Sequence, residues 1–455
     1  MTTSPKTTQK LSFGEPIAFY VPGSFYIKMN EATVYHTENG GEINQEDSRV
    51  FLHEYAHLVQ DLSSLYGVCQ FMQAVESLPS LISLYDSGGS SVPVPLRTLV
   101  EQGRSKATGA ECMQAQLEEM GNYIAPRNFW DPVTDYTFLG HRIEQVEVNY
   151  LTHLGACKRN TLAFPVVRYE QVDNGMPLEV RFGAVEVYEG FSLAVEEVHG
   201  LRRSIEQCFM YRAAATIIKA FLGDTSPRMT MAICHWALQS TTPGVLFFQL
   251  LEALKARPQK EQDSVEAVFD FCRTYLFANG YESLRAKMLD ALNKMCMDQA
   301  AGNPKEHLGK ILRWYYQTVE RTLRINDGQG RRFPLDTILG DKGIQWAVGI
   351  KRLLSEVPVP HLEDKTGKRY SFGAEDEAEQ YVYFLRALAE MVNYLWTGSG
   401  VTWACPVEPQ CQLASKGDAC RSSPWLLGQD KELCPYGAAA KYLKIHKRIM
   451  ACAAP

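Results

Sequence analysis

The chain has 455 residues, of which 45% are hydrophobic, so it can form one large domain or two to three domains of ordinary size. Its formal net charge of −6 and its isoelectric point near 6.0 argue against a basic surface for nucleic acid. No apolar run is long enough to cross a bilayer, and the polar, Thr-rich residues 1–10 predict a disordered start rather than a signal peptide. We therefore expect a cytoplasmic protein whose 12 Cys are thiols or metal ligands rather than disulfides.

The first predicted element is a small antiparallel sheet. Three short segments rich in strand formers occupy residues 17–21, 24–29 and 32–36. Pro22-Gly23 and Asn30-Glu31 separate them and supply the turn residues. The sheet would lie immediately before a predicted helix over residues 44–66.

That helix carries the most informative motif of the chain, His-Glu-x-x-His at His53, Glu54 and His57. Because four residues advance a helix by about one turn, the two imidazoles lie on one face, at a spacing suited to a single small cation. The opposite face is an apolar stripe with steps of three and four: Phe51, Tyr55, Leu58, Leu62 and Leu65. The ends carry further helix signals, namely Asn44 as N-cap, Glu46 and Asp47 in the first turn, and Gly67 after the end.

The following residues predict a mainly helical chain with one more hairpin. Residues 68–160 read as mostly helical, most clearly at 113–123 and 143–154. Residues 164–169 and 178–182 alternate and flank Asp173-Asn174-Gly175, which indicates a β-hairpin. Further helices are predicted at 185–221, in several pieces within 228–320, and at 343–356 and 374–396. The predicted fold class is α+β, mainly α-helical.

The His-Glu-x-x-His helix resembles the metal-binding helix of the zincins, a family of zinc-dependent metallopeptidases. The resemblance implies that His53 and His57 bind zinc and that Glu54 acts as general base on a water molecule bound to the metal. Zincins commonly place a sheet before this helix, and its edge strand can hold an extended peptide through main-chain hydrogen bonds. The bland alternative is a chance occurrence of the pattern.

Catalytic zinc usually takes three protein ligands, so the site needs a third. No His follows His57 until His141, which argues against the zincins that take a third His from the same motif. The segment Tyr188-Glu189-Gly190-Phe191-Ser192 resembles the segment that supplies a Glu ligand in Glu-zincins, which implies Glu189 as the third ligand. Gly190 would let two helices approach closely around the metal. Glu196, two turns on, could accept a hydrogen bond from a liganding imidazole.

Several alternatives stay open around this ligand set. Glu189 could be an exposed acid at a helix start, where Glu is favourable. Three other acids rival it as third ligand: Glu186, Glu196 and Glu197. Asp61, one turn after His57, either orients that His from the outer shell or is a solvated residue at the helix end.

The C-terminal region contains a second candidate metal site. Four Cys fall close together in a segment with little apolar content: Cys405, Cys411, Cys420 and Cys434. Such a segment cannot fold by burial alone, and a bound metal would supply the missing stability. The intervals lack the Cys-x-x-Cys knuckle. A structural zinc site, an iron–sulfur cluster and four unrelated thiols therefore all remain open.

The expected function is a zinc metallopeptidase acting on a protein or peptide substrate, with a regulatory protein or activator as further partner and no nucleic acid or membrane. One alternative is a metal-binding scaffold that no longer cleaves, and another is a metal hydrolase acting on a non-peptide bond. Tyr211 is the candidate for stabilising the transition state. Five other His are expected to be ordinary surface or core residues: His141, His153, His199, His235 and His446. The expected units are a disordered N-terminus (1–10), a zincin-like catalytic core (11–225), a helical region (226–397) and a Cys-rich metal-binding tail (398–455).

Overall fold

A computed structural model gives the fold and describes part of the chain. The described residues are 18–20, 23–29, 45–72, 75, 91–96, 135–151, 157–198, 208–258, 262, 264–300, 306–325, 361–363, 369–370, 376–398, 434–443, 445 and 449–452. The helices are α1 Gln45–Ser63, α2 Ala184–Val198, α3 Phe209–Leu222, α4 Pro227–Ala237, α5 Pro243–Lys255, α6 Val265–Ala278, α7 Tyr281–Ala300, α8 Glu306–Ile325, α9 Asp376–Thr397 and α10 Pro435–Tyr442. The strands are β1 Ala18–Tyr20, β2 Tyr26–Met29, β3 Ser91–Val94, β4 Tyr136–Leu151, β5 Cys157–Gln171, β6 Pro177–Arg181, β7 His361–Glu363, β8 Arg369–Tyr370 and β9 Ile449–Cys452. The protein is therefore α+β and mainly α-helical, as predicted.

The predicted N-terminal sheet exists, but strands from far along the chain complete it. β1 pairs antiparallel with β2, as expected, whereas β2 pairs parallel with β7, and β7 pairs antiparallel with β8. The order β1-β2-β7-β8 makes a four-stranded sheet with β1 at one edge. The third predicted strand, 32–36, lies outside the described residues.

A second, three-stranded sheet contains the clearest error of the sequence analysis. Residues 143–154 were predicted as a helix, but β4 extends through residue 151 and pairs with β5 along its whole length. Apolar residues spaced by three and four occur at 143, 146 and 150, which fits a helix. Apolar residues also alternate at 146, 148 and 150, and the partner strand decides between the two patterns. The predicted helix at 113–123 lies outside the described residues.

The hairpin and most other helices agree with the sequence. β5 and β6 are joined by the predicted turn, in which Gly175 has a φ of 66°, a left-handed conformation that glycine adopts without strain. The predicted helical stretch 185–221 contains α2 and α3, with residues 199–207 outside the described part of the chain. α5 begins at Pro243, within the stretch 228–320 that was predicted as several helices, and α9 matches the prediction at 374–396. The prediction at 343–356 lies outside the described residues.

The two helices that matter for the site are both deep in the protein. On α1 and the helical residues just after it, the predicted apolar stripe packs into the core: Phe51, Tyr55, Leu58, Leu62 and Leu65, each at most 2% exposed. α2 packs against α1, α3, α4 and α5, so almost its whole surface must be compatible with burial. Among the described helices, none is long and apolar enough to cross a membrane.

The C-terminal elements join the same core. α9 packs against α10, and β9 pairs parallel with β3. Between α9 and the four-stranded sheet, the buried Arg386 donates from Nε to Glu390 at 2.9 Å, and its Nη1 lies 3.7 Å from a carboxylate oxygen of Glu363 on β7. Tyr436 of α10 donates to Glu390, and the guanidinium lies 3.5 Å from the ring centroid of Tyr26 on β2. This charged cluster links α9 and α10 to the sheet that carries β1.

Candidate metal centre

α1 and α2 bring together the three residues that the sequence suggested as ligands. The ligand atoms of His53, His57 and Glu189 all lie within 4.8 Å of one another. Glu189 Oε2 is 3.1 Å from His53 Nε2 and 3.6 Å from His57 Nε2. Ligands about 2.1 Å from a tetrahedral zinc ion are separated by about 3.4 Å, and the two distances fall on either side of that value. The three residues could therefore hold a metal ion with little movement.

Both imidazoles are held at their other ring nitrogen. His53 Nδ1 is 2.7 Å from Glu196 Oε1. His57 Nδ1 is 3.1 Å from Gln60 Oε1 and 3.2 Å from Ser192 Oγ. Acceptors at Nδ1 keep a proton on that atom and leave the Nε2 lone pair for a cation. The expected hydrogen bond between Glu196 and a liganding imidazole is thus present, on His53.

The local charges also favour a cation. Burial lowers the pKa of His53, but the carboxylates of Glu189 and Glu196 outweigh this effect and raise it to about 10. Burial likewise lowers the pKa of His57, and Glu189 again makes the net shift upward. Burial raises the pKa of Glu189, whereas His57 and His53 lower it more strongly. The metal-free site therefore holds protons that a metal ion would displace.

Glu54 is placed beside the ligand pair and is also held by the edge strand. It is partly buried, and burial raises the pKa of its carboxyl despite the opposing effect of His53 and His57. The backbone amide of Tyr20, at the end of β1, is close enough to this carboxylate to lower its pKa. A carboxylate with a raised pKa is a stronger base near neutral pH than an exposed one.

Gly190 allows α2 to lie very close to a neighbour, as the sequence suggested, but the neighbour is α3 rather than α1. A Cβ at Gly190 would be 2.6 Å from the Cβ of Ala214, closer than real contacts allow. Gly190, the residue that follows Glu189, is therefore packed tightly against α3. This contact fixes the position of the third candidate ligand.

The structure separates the rival acids by their partners. Glu186 accepts from the Gly183 backbone N–H at 2.8 Å, at the start of α2. Glu196 contacts His53 from the outer side, and Glu197 is exposed. Among the four acids, Glu189 is the one that lies near both imidazoles.

Asp61 has partners other than the predicted one. Its carboxylate accepts from Tyr20, Gly23 and Tyr188, whereas Gln60 and Ser192 hold the Nδ1 atom of His57. The sequence analysis missed Gln60 and Ser192. The signal was available, because Gln60 lies three residues after His57 and Ser192 three residues after Glu189, and this spacing places each pair on one helix face.

The remaining candidates are placed as follows. The Tyr211 ring lies 5.6 Å from the His53 ring, centroid to centroid, so it is near the site. His235 is fully buried in the core, and the half-buried His141 stacks on Phe248. Cys434 is buried and immediately precedes α10. The other candidates lie outside the described residues: His153, His199, His446, Cys405, Cys411 and Cys420.

No protein-family model, no curated protein and no solved structure matches this chain in comparisons with known proteins. The chemistry of the site must therefore be argued from its own atoms. These atoms are two imidazole nitrogens and one carboxylate oxygen, with a second carboxylate beside them. Such a set can bind a divalent cation and leave a coordination position for a reactant.

Proposed function

We propose that the chain is a zinc-dependent peptidase, in which His53, His57 and Glu189 hold the ion and Glu54 is the general base. The observation that carries the proposal is the convergence of Glu189 on both imidazoles, with oxygen–nitrogen distances of 3.1 and 3.6 Å. Two His and one Glu form a common ligand set of catalytic zinc. Imidazole nitrogens favour zinc over magnesium or calcium, which prefer oxygen ligands.

Each residue of the site has its own role in the proposed hydrolysis. A zinc ion held at this site would lower the pKa of a water molecule and polarise the scissile carbonyl. Glu54 takes a proton from the attacking water and returns it to the leaving nitrogen. Glu196 holds His53, while Gln60 and Ser192 hold His57, so the imidazoles keep their orientation during the reaction.

The proposed substrate is a protein or peptide in extended form. Among the described strands, β1 is the outermost in the four-stranded sheet, and its end contacts Glu54. An extended peptide can add to such an edge by main-chain hydrogen bonds, which would place its backbone beside the general base. Tyr211, whose ring lies next to that of His53, is the proposed hydrogen-bond donor to the scissile carbonyl oxygen, which becomes negatively charged in the transition state.

The decisive experiment separates the base from the ligands. Glu54→Gln keeps the size of the side chain but removes the basic carboxylate, so we expect the metal to stay bound and hydrolysis to fall on the order of 10² to 10⁴-fold. His53→Ala should lose metal and hydrolysis together. Glu197→Gln, an exposed acid-to-amide change on α2, is the control and should behave as wild type.

The substrate need not be known in advance. Newly formed peptide ends can be compared across the proteome of cells that carry wild type or Glu54→Gln, with the control beside them. Ends that need wild-type protein and vanish with a chelator would support a peptidase. Identical end profiles for wild type and Glu54→Gln would refute the proposal and favour a scaffold or a non-peptide substrate.

A further inference from the structure

A single buried carboxylate, that of Asp61, joins three elements of the site. It lies on α1, one helical turn after His57, and is 6% exposed. Its Oδ2 accepts from the hydroxyl of Tyr20 at 2.9 Å and from the backbone N–H of Gly23 at 3.1 Å. Its Oδ1 accepts from the hydroxyl of Tyr188 at 2.9 Å. The donors come from the end of β1, from the segment before β2 and from α2.

Two of these partners are adjacent to a functional group. The backbone amide of Tyr20 acts on Glu54 and lowers the pKa of its carboxyl, so the residue whose side chain holds Asp61 also contacts the proposed base through its main chain. Tyr188 immediately precedes Glu189, and its ring lies 5.9 Å from that of His57. The position of Asp61 relative to these groups is thus fixed by hydrogen bonds to both sides of the site.

The site is built for a carboxylate at this position. Three N–H and O–H donors converge on two oxygens, which offsets the cost of burying the charge. Burial and the nearby Asp61 raise the pKa of Tyr20 and of Tyr188, so both phenols remain protonated donors. An Asn in the same place has a single acceptor oxygen, and its NH2 group would face a donor.

We propose that Asp61 is a positioning residue, which holds β1 against α1 so that the Tyr20 backbone N–H meets the Glu54 carboxylate. The geometry excludes the simpler role of orienting His57, because Gln60 and Ser192 occupy the Nδ1 side of that imidazole. The effect on hydrolysis rests on the proposed function. We call the restraint that Asp61 places on β1 the clamp. The clamp does not rest on the proposed function, and it can be measured in the metal-free protein.

The first test is residue-resolved hydrogen exchange of the full chain. The Gly23 amide donates to Asp61 itself, whereas the Tyr20 amide acts on the Glu54 carboxylate. Asp61→Asn should therefore speed exchange at both amides by about tenfold, the scale of one lost hydrogen bond to a charged group. Faster exchange at Gly23 alone would mean a local contact without positioning and would overturn the proposal, as would unchanged exchange at both.

The second test uses a milder change and a matched control. Tyr20→Phe removes the link between the Tyr20 ring and Asp61 but keeps the packing, so it serves even if Asp61→Asn fails to fold. Tyr315→Phe is the control, because Tyr315 is buried, the nearby Asp61 raises the pKa of its phenol, and its ring stacks on Phe71. Tyr20→Phe should speed exchange at its own amide, and Tyr315→Phe should leave it unchanged. Equal exchange in all three proteins would contradict the clamp.

The third test separates positioning from metal binding, with Co²⁺ as a spectroscopic probe. Asp61→Asn and Tyr20→Phe should keep the Co²⁺ absorption spectrum and bind Co²⁺ within about twofold of wild type, because the ligands are untouched. With a substrate, both should lower kcat by about tenfold, and the double variant should be no worse than Asp61→Asn. An altered Co²⁺ spectrum or additive losses would overturn the proposal. If wild type cleaves nothing, the proposed function fails, and the exchange results still decide the clamp.

Discussion

His53 sits between two carboxylates, and this arrangement decides how the site handles charge. Glu189 lies at Nε2, where a metal would bind, and Glu196 lies at Nδ1, where only a proton fits. The two acids therefore have different roles, although both raise the pKa of the same imidazole. Glu189 would bind the cation together with the imidazole, whereas the hydrogen bond to Glu196 makes the imidazole a better metal ligand.

This difference predicts unequal losses of metal. Glu196→Ala leaves all three ligands in place and should weaken zinc binding about 10- to 100-fold, as other outer-shell changes do. Glu189→Ala removes a ligand and should weaken binding further. Competition with a chromophoric chelator measures both dissociation constants, and Glu197→Ala, an exposed neighbour of Glu196, is the control. Wild-type affinity in Glu189→Ala would remove it from the ligand set.

The residues of the site were predictable to the extent that they are close in sequence. His53, Glu54 and His57 share one helix turn, and Glu189 and Glu196 share one face of α2, so periodicity relates the members of each group. The contacts of Tyr20 and Gly23 with Asp61 span about 40 residues and depend on how a strand crosses a helix. Local spacing contains no information about that crossing.

At the scale of elements, the packing of α2 on α3 places the third candidate ligand. Gly190→Ala should overpack this contact, because the new Cβ would be 2.6 Å from the Ala214 Cβ. We expect a loss of about 1–3 kcal/mol in the free energy of unfolding and weaker metal binding, since Glu189 must move with the helix.

A compensating change tests the cause of this loss. Ala214→Gly alone should cost about 1 kcal/mol, because glycine is a poor helix former. Combined with Gly190→Ala, it removes the clash and should recover most of the metal affinity. Chemical denaturation and the chelator competition report the two quantities. If the double variant binds metal no better than Gly190→Ala, the contact with α3 does not position Glu189.

The wrong prediction for β4 has a similar origin at this scale. A pattern of apolar residues at 143, 146, 148 and 150 fits a helix and a strand almost equally well. β5, which is also the first strand of the β5–β6 hairpin, pairs with β4. This pairing satisfies the main-chain hydrogen bonds that a helix would satisfy internally. The strong turn at Asp173-Asn174-Gly175 made the β5–β6 hairpin predictable, whereas the connection between β4 and β5 offered no equivalent signal.

The whole molecule is held together by contacts that local sequence patterns do not predict. The four-stranded sheet joins β2 to β7, and a second parallel pair joins β3 to β9. The helices α2, α3 and α9 followed from periodicity, but the partners of short strands did not, because many segments of three or four residues could pair equally well. The buried Arg386 cluster could not be predicted either, since its members come from four separate parts of the chain.

The stability of the whole molecule should depend on pH through His235. Its imidazole is fully buried, neither ring nitrogen has a hydrogen-bond partner among the described residues, and burial lowers its pKa to about 3. In the unfolded chain the His235 imidazole binds a proton near pH 6.5. The free energy of the unfolded state therefore falls relative to that of the folded state as the pH drops below this value. His235 should thus cost about 2 kcal/mol of stability between pH 7.5 and pH 5.

A non-titrating variant isolates this effect from other acid-sensitive groups. His235→Leu keeps an apolar side chain of similar size in the core and has no proton to bind. Denaturant unfolding at the two pH values should show a smaller loss of stability in the variant than in wild type, by about the same 2 kcal/mol. Equal losses in both proteins would mean that His235 is protonated in the folded state or reaches solvent.

The pairing of β2 with β7 has a consequence for the order in which a ribosome makes this protein. Translation delivers α1 and α2, which carry His53, His57 and Glu189, long before it delivers residues 361–363. Until then β2 lacks its parallel neighbour, and the sheet that brings Tyr20 to Glu54 is incomplete. Contacts so distant in sequence form late, because closing a long loop costs entropy. Under the proposed function, a growing chain would therefore have the three candidate metal ligands before its edge strand reaches the general base, and this delay would protect the nascent protein from premature cleavage.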